Sequence, residues 1–293
     1  MSKTLTFGDL SEAAFEKFWR YSKNVGNILS IRRRLSVAFG DDTPVTKLTT
    51  LSIERVCTQW LSEGASEKTC NRRLSCLSKM LKWAERTGRI DRAPYIERFT
   101  EGLGRLRYAT EEEVGQVIAH LDLMGRTDEI DLVMLLADTG MRRSEVLDMK
   151  WEQWNPDCQF IELNETKNGR SRKVPLTERA QGVLENRYRF APEEPEYPHL
   201  NLFGPFKWVS RSTFAVYWNK ARAEMGLGED KGFTPHSLRH GFACRLLQRG
   251  ARIEVVSRLL GHDDIRTTIN RYYHESPGDT ASTVALLEPE NHA

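Results

Sequence analysis

The sequence predicts a mainly α-helical chain in two parts, an all-helical bundle followed by an α+β domain with one small antiparallel sheet. Three observations point there. Apolar residues recur at three and four spacing from Thr6 to about Gly88; periodicity is then lost through a stretch broken by Pro94, Gly102 and Gly104; and three short extended runs cluster between Trp151 and Leu176. At 293 residues the chain is long enough for two cores of ordinary size.

The segments SEAAFEKFWRYS, GNILSIRRRLSVAFG, TTLSIERVCTQWLSEG and SEKTCNRRLSCLSKMLKWAERTG are each amphipathic and each end on Gly or a polar turn, which predicts four helices over residues 1–90. The last carries Lys68, Arg72, Arg73, Lys79, Lys82 and Arg86 around an apolar stripe of Leu74, Leu77, Met80, Leu81 and Trp83. Basic helix faces often serve solubility alone. Six cations within nineteen residues, with Arg32 to Arg34 on an earlier helix, favour a surface that grips phosphates.

Residues 91–108 are expected to link the two parts, and Thr110 with Glu113 is a capping-box signature for the helix that follows. Helices are expected at about 111–121 and 128–138. Gly140 then ends one helix and another begins at once, putting Arg142 and Glu145 one turn apart. The extended runs WEQW, QFIEL and SRKVPL come next, the last two joined by NETKNGR, so that Lys167 is placed in the tip of a β-hairpin. Further helices are predicted from Thr177, over 210–224, 236–249 and 253–260, and through Tyr272.

Net charge is +2, but it is unevenly spread: residues 1–104 carry 18 Lys and Arg against 12 Asp and Glu, and residues 105–293 carry 25 against 29. A basic smaller part beside a mildly acidic larger one suits a polyanion partner. Five cysteines, without CxxC or metal-ligand spacing, read as reduced thiols of a cytosolic protein. The polar, amphipathic N-terminus and the lack of any run of 18 apolar residues give no sign of secretion or a membrane span. GLG at 102–104 follows no strand and precedes no Lys-Ser/Thr, so it is not a phosphate loop, and no nucleotide-hydrolysing motif is present.

Chemistry-bearing residues gather toward the C-terminus. Pro235 opens a helix that sets His236 and Arg239 one turn apart. His236 and His240 have zinc spacing, but the glutamate of a zinc hydrolase helix and a third ligand are both missing, so no metal is expected. In LLGHDDIRTTINRYYHE a helix closes at Gly261, His262 sits in the turn, Asp263 or Asp264 can cap the next helix, and Tyr272 projects from it.

TGMRRSE (139–145), TKNGRSRKVPL (166–176), HSLRH (236–240), LLGH (259–262) and TTINRYYH (267–274) occur in one order and together span the second domain. In this the chain resembles the tyrosine recombinases, the phage integrase family. The resemblance implies that Arg142 and Arg239 are the catalytic arginines, Glu145 an acidic supporting neighbour, Lys167 the hairpin lysine, His236 and His262 the site histidines and Tyr272 the nucleophile. It implies a SAM-like four-helix bundle over 1–90 binding core-site DNA through Arg72, Arg73, Lys79, Lys82 and Arg86, a catalytic domain over 109–275, and a tail over 276–293 exchanged between protomers. Four protomers on two double-stranded DNA sites would follow, with an accessory directionality or host bending protein as a further partner, in the cytoplasm of a bacterium or phage host, at the nucleoid. The spacing from His262 to the tyrosine is one residue longer than in many members if Tyr272 acts; the Tyr-x-His ending favours Tyr272 over Tyr273.

The residue types fit that chemistry. Attack on an anionic phosphodiester needs cations on the non-bridging oxygens, and two arginine forks supply them. A phenol near pKa 10 must lose its proton as it attacks, with His236 as acceptor and His262 orienting the phosphate, and the leaving 5′ oxygen needs a proton, from Lys167. One phosphodiester is exchanged for another, so neither ATP nor any other cofactor is called for. A DNA-binding regulator that kept the fold without catalysis, or a type IB topoisomerase, are the rivals from other classes.

Overall fold

The computed structural model describes residues 4–22, 24–100, 102, 106–164, 171–190 and 204–272. Two compact units divide at Leu103 and Gly104.

The first unit holds α1 (Phe7–Phe18), α2 (Val25–Phe39), α3 (Thr50–Ser62) and α4 (Glu67–Arg86). Thr6 and Asp9 form a reciprocal capping box at α1, Thr49 and Ser52 do the same at α3, and Ser66 caps α4. Their inward faces bury Phe7, Leu10, Leu35, Ile53, Trp60, Leu74, Leu77 and Leu81 in one core. With Cys70, Leu74, Leu77, Leu81 and Ala84 of α4 pointing inward, helical geometry turns Lys68, Arg72, Ser75, Lys79, Lys82 and Arg86 outward, and all six are exposed. Arg98 fills the one uncharged place on that stripe, its guanidinium 2.6 Å from Ser75 Oγ. Arg73 turns aside and lies over the Trp60 ring at 4.8 Å. The stretch expected to be linker is partly structural: Asn71 grips the backbone of Phe99 from both sides, at 2.9 and 3.0 Å, and Ala93, Ile96 and Phe99 pack on the first core.

The second unit begins where Arg107 binds Glu113 and Asp230 and the Ala109 amide donates to Ser237 O at 2.9 Å. Its helices are α5 (Glu111–Leu123), α6 (Thr127–Thr139), α7 (Arg143–Leu147), α8 (Glu178–Arg189), α9 (Arg211–Glu224), α10 (Pro235–Gln248), α11 (Ile253–Leu260) and α12 (Ile265–Tyr272). α6 is buried over most of its length, with Leu132, Val133, Leu135, Leu136 and Ala137 enclosed, because α5, α8 and α10 pack against it. Strands β1 (Trp154–Asn155), β2 (Phe160–Leu163) and β3 (Arg172–Pro175) form an antiparallel sheet in that order, with Ile161 opposite Val174 on the buried face. The run WEQW is extended only at its end; Trp151–Gln153 is a 3-10 turn held by Lys150 N donating to Gln153 Oε1 at 2.8 Å. The fold is thus mostly helical with one small antiparallel sheet, as expected. The β2–β3 connection that carries Lys167, and the tail after Tyr272, lie outside the described residues. Among the described residues no helix is long and apolar enough to cross a membrane.

Candidate active site

Two helix ends make the floor of the site. α6 closes on Gly140 and α11 on Gly261, both left-handed (φ 61° and 64°), a conformation glycine adopts without strain. The last carbonyls of such helices lack intrahelical partners and carry partial negative charge. Arg239, on α10 and only 2% exposed, answers both: Nη1 donates to Gly140 O at 2.7 Å and Nη2 to Leu260 O. Among the described residues no carboxylate lies within ion-pair distance of it. Burial, then the Arg142 charge, pull its pKa down to about 10. A buried cation matched only by carbonyl dipoles is a place where an anion is stabilised.

Arg142 caps α7 and is held by Glu145, whose carboxylate accepts both its backbone N and its Nη1 at 2.7 Å; Nη2 donates to Gly261 O at 3.3 Å. Glu145 is shared. Arg172, at the start of β3, forks onto the same carboxylate at 3.1 and 2.7 Å and donates through Nε to Leu259 O at 3.1 Å. Burial would raise the Glu145 pKa, but the Arg172 hydrogen bonds and charge, with those of Arg142, outweigh it and hold the carboxyl at about 2.

His262 follows Gly261, and its Nδ1 lies 2.8 Å from the hydroxyl of fully buried Thr268. Burial and then Arg239 and Arg142 push its pKa down to about 4. His236 stands on the same α10 face as Arg239 and falls to about 4 through burial and then Arg239, Arg271 and Arg142. Tyr272 ends α12 and packs on the small cluster of Ala243, Val256 and Leu260. Burial drives its pKa up to about 12 against the lowering effect of Arg239 and Arg271.

Arg142, Glu145, His236, Arg239, His262 and Tyr272, spread over 131 positions of sequence, are therefore neighbours in one basic cluster, whereas Lys167 falls outside the described residues. The candidate phosphate-gripping residues of α4 belong to the other unit. Three members were not singled out from sequence. Arg172 sits inside the SRKVPL run, whose pattern signals only a strand; Arg271 adjoins the tyrosine; and His240 offers in sequence only its zinc-like spacing from His236, although its Nδ1 lies 2.6 Å from Tyr272 Oη. Two arginines and an imidazole around one phenol, with two further imidazoles beside the same arginines, can bind an anion and move a proton, the requirements for displacement at phosphorus.

Comparison with known proteins agrees with that chemistry. The phage integrase family matches residues 107–278. The chain is 30% identical over 210 residues to the tyrosine recombinase XerD of Lacticaseibacillus casei, spanning 68% of this chain and 69% of that one. With XerA of Pyrococcus furiosus it shares 31% over 159 residues, 54% of each chain. Among solved structures it resembles a Tn1549 transposon integrase in complex with a circular intermediate DNA, with a TM-score of 0.78 at 16% identity over 97% of this chain and 100% of that one. A lambda integrase dimer bound to a COC′ core site gives 0.74 at 17%, over 93% and 79%. At such identities the structural likeness is one of fold.

Proposed function

Because the chain belongs to the phage integrase family and is a site-specific recombinase of the tyrosine type, we propose that it cuts and rejoins duplex DNA through a 3′-phosphotyrosyl link made by Tyr272. The observation that carries this reading is the buried guanidinium of Arg239 beside that phenol, with no carboxylate in ion-pair reach among the described residues. A scissile phosphate supplies the anion that Arg239 faces, and Arg142, pinned by Glu145, faces it as the second fork.

The proposed steps balance without fuel. Tyr272 Oη bonds to phosphorus as the bond to the 5′ oxygen breaks; the phenol proton passes to His236 and the departing oxygen takes one from Lys167. His236 is neutral at pH 7, as an acceptor must be, and the phosphate charge offsets the arginines that depress it, raising its basicity as DNA arrives. His262, braced by Thr268, holds a non-bridging oxygen. A 5′ hydroxyl from a second strand reverses the sequence, so the phosphoester energy is conserved and no nucleotide is spent. The protein's cations do the work a metal performs in other phosphoryl transfers.

In the first unit the outward stripe of α4, from Lys68 to Arg86 with Arg98 in its gap, is proposed to track the DNA backbone. We assign residues 1–90 to core-site binding, 109–275 to catalysis and 276–293 to exchange between four protomers on two sites, with an accessory directionality or bending protein as an additional partner.

The test is covalent capture. Nicked suicide duplexes drawn from a random-sequence library should leave the protein attached to DNA on a denaturing gel, and Tyr272→Phe should bind equally yet leave none. An adduct retained by that variant would move the nucleophile to Tyr273. Relaxation of any supercoiled plasmid without joint products would favour a topoisomerase.

A further inference from the structure

Tyr272 Oη lies 2.6 Å from Nδ1 of His240, a residue to which the steps above give no part. His240 is 7% exposed, so the contact is made inside the protein. Its direction can be worked out from the other ring nitrogen. Arg271, whose guanidinium only donates, places Nη1 3.4 Å from His240 Nε2, which makes Nε2 the acceptor. A neutral ring that accepts at Nε2 carries its proton on Nδ1, and Nδ1–H then donates to the phenol oxygen. Neutrality follows from the surroundings: burial first, then His236, Arg271, Arg239 and His262, hold the His240 pKa at about 3.

The ring is held in its plane. His236, one turn earlier on α10, meets it edge to face with centroids 4.5 Å apart at 81°. The groups facing the phenol are Arg239, His240 and Cys244 from α10 and Arg271 from α12. Of these His240 is the one hydrogen-bonded to the phenol oxygen among the described residues.

We propose that His240 is a positioning residue for the nucleophile: by donating from Nδ1 to Tyr272 Oη it fixes the phenol beside Arg239 of the same chain, leaves the phenol's own proton free to depart, and strengthens its hold as negative charge forms on that oxygen. The inference rests on Tyr272 being the nucleophile. No proton is transferred to or from His240 in the step, and the proposed acceptor remains His236, which meets the His240 ring edge to face. A hydrogen bond to an oxygen becoming anionic strengthens in the transition state, which is where a fixed donor accelerates a reaction.

His240→Phe keeps a ring of similar size and removes the donor, while His240→Asn returns an amide N–H close to the place of Nδ1. Adduct formation would be followed in single turnover on a nicked duplex that the unsubstituted protein captures from the random library, across pH 6 to 10. His240→Phe should bind that duplex with unchanged affinity, react about tenfold to a hundredfold more slowly and reach its half-maximal rate at higher pH; His240→Asn should recover most of the loss. Equal rates and an unshifted pH profile in His240→Phe would overturn the proposal.

A second measurement needs neither DNA nor a folded His240→Phe. Long-range ¹H–¹⁵N spectra of the full chain should show the His240 ring protonated at Nδ1, with that resonance displaced in Tyr272→Phe; an Nε2–H ring indifferent to the loss of the phenol would refute the bond. Failure of the unsubstituted protein to form any adduct would instead remove the nucleophile assignment, leaving the spectra to decide the hydrogen bond by itself.

Discussion

Arg172 and Glu145 form a forked pair, 3.1 and 2.7 Å, that ties the first residue of β3 to the first turn of α7. The carboxylate that receives this fork also fixes Arg142, so the orientation of a proposed phosphate ligand is set from the sheet. Both partners are largely buried, with side-chain exposures of 9% and 14%. Removing one half of such a pair strands the other charge in low dielectric, which costs about 3–5 kcal/mol when burial is complete. Glu145→Ala leaves two arginines facing each other and should lose about 2–4 kcal/mol in urea unfolding. Arg172→Lys keeps the charge but not the fork, so it should lose less stability while still slowing cleavage severalfold, since Arg142 becomes free to turn. Equal stability of Glu145→Ala and the unsubstituted protein would mean that the shared carboxylate orders nothing.

Arg239 makes a different prediction, because it is buried with no carboxylate in ion-pair reach among the described residues. Its replacement by Ala exposes the Gly140 and Leu260 carbonyls to a cavity, a loss of about 1–3 kcal/mol, but it also relieves a desolvated cation. Stability should therefore change modestly while single-turnover cleavage falls about a hundredfold or more, with DNA affinity little altered. A loss confined to affinity would show that Arg239 holds ground-state DNA and not the transition state.

The three imidazoles make the folded protein acid-sensitive in a defined window. Burial and the nearby arginines hold His236, His240 and His262 at about 4, 3 and 4, against about 6.5 in the unfolded chain. Between those values the unfolded state binds more protons, so stability is complete above about pH 7 and falls as pH drops through 6.5 toward 4. Each imidazole contributes about 1–2 kcal/mol of loss between pH 7 and 5. Glu145, lowered to about 2, adds a second loss in the same direction below about pH 4.5. The Tm of the unsubstituted protein should drop steeply over pH 7 to 5, and His262→Asn should flatten that slope. A Tm independent of pH across this window would contradict the neutral, buried histidines.

Much of this geometry was legible because local signals and tertiary packing agree. Gly140 and Gly261 mark their helix ends in the sequence, the capping pair Thr110 and Glu113 forms as read, and the run from Ile253 to Leu260 is a helix with those bounds. Side-chain partnerships across the fold were not legible. The separations Arg172 to Glu145, 27 residues, and His240 to Tyr272, 32 residues, have no period, so nothing in the spacing distinguishes them from surface residues. Asn71 likewise captures Phe99 from 28 residues away, which a composition rich in turn-formers disguised as linker.

The α4 stripe separates contacts that sequence lumps together. Lys68, Arg72, Lys82 and Arg86 face outward along about 27 Å of helix, while Arg73 is spent on the Trp60 ring and Lys79 reaches over the Phe18 and Trp19 rings. Each stripe cation that meets a phosphate releases about one counterion, so Arg72→Ala, Lys82→Ala and Arg86→Ala should each lower DNA affinity and reduce the slope of log affinity against log salt by about 0.9. Arg73→Ala should instead cost stability, by about 0.5–1 kcal/mol of lost ring contact, and leave the salt slope near that of the unsubstituted protein. The pair of measurements discriminates as no single one does. A uniform fall in slope across all four variants would mean a diffuse electrostatic field, and an unchanged slope in all four would remove DNA from this face of the helix.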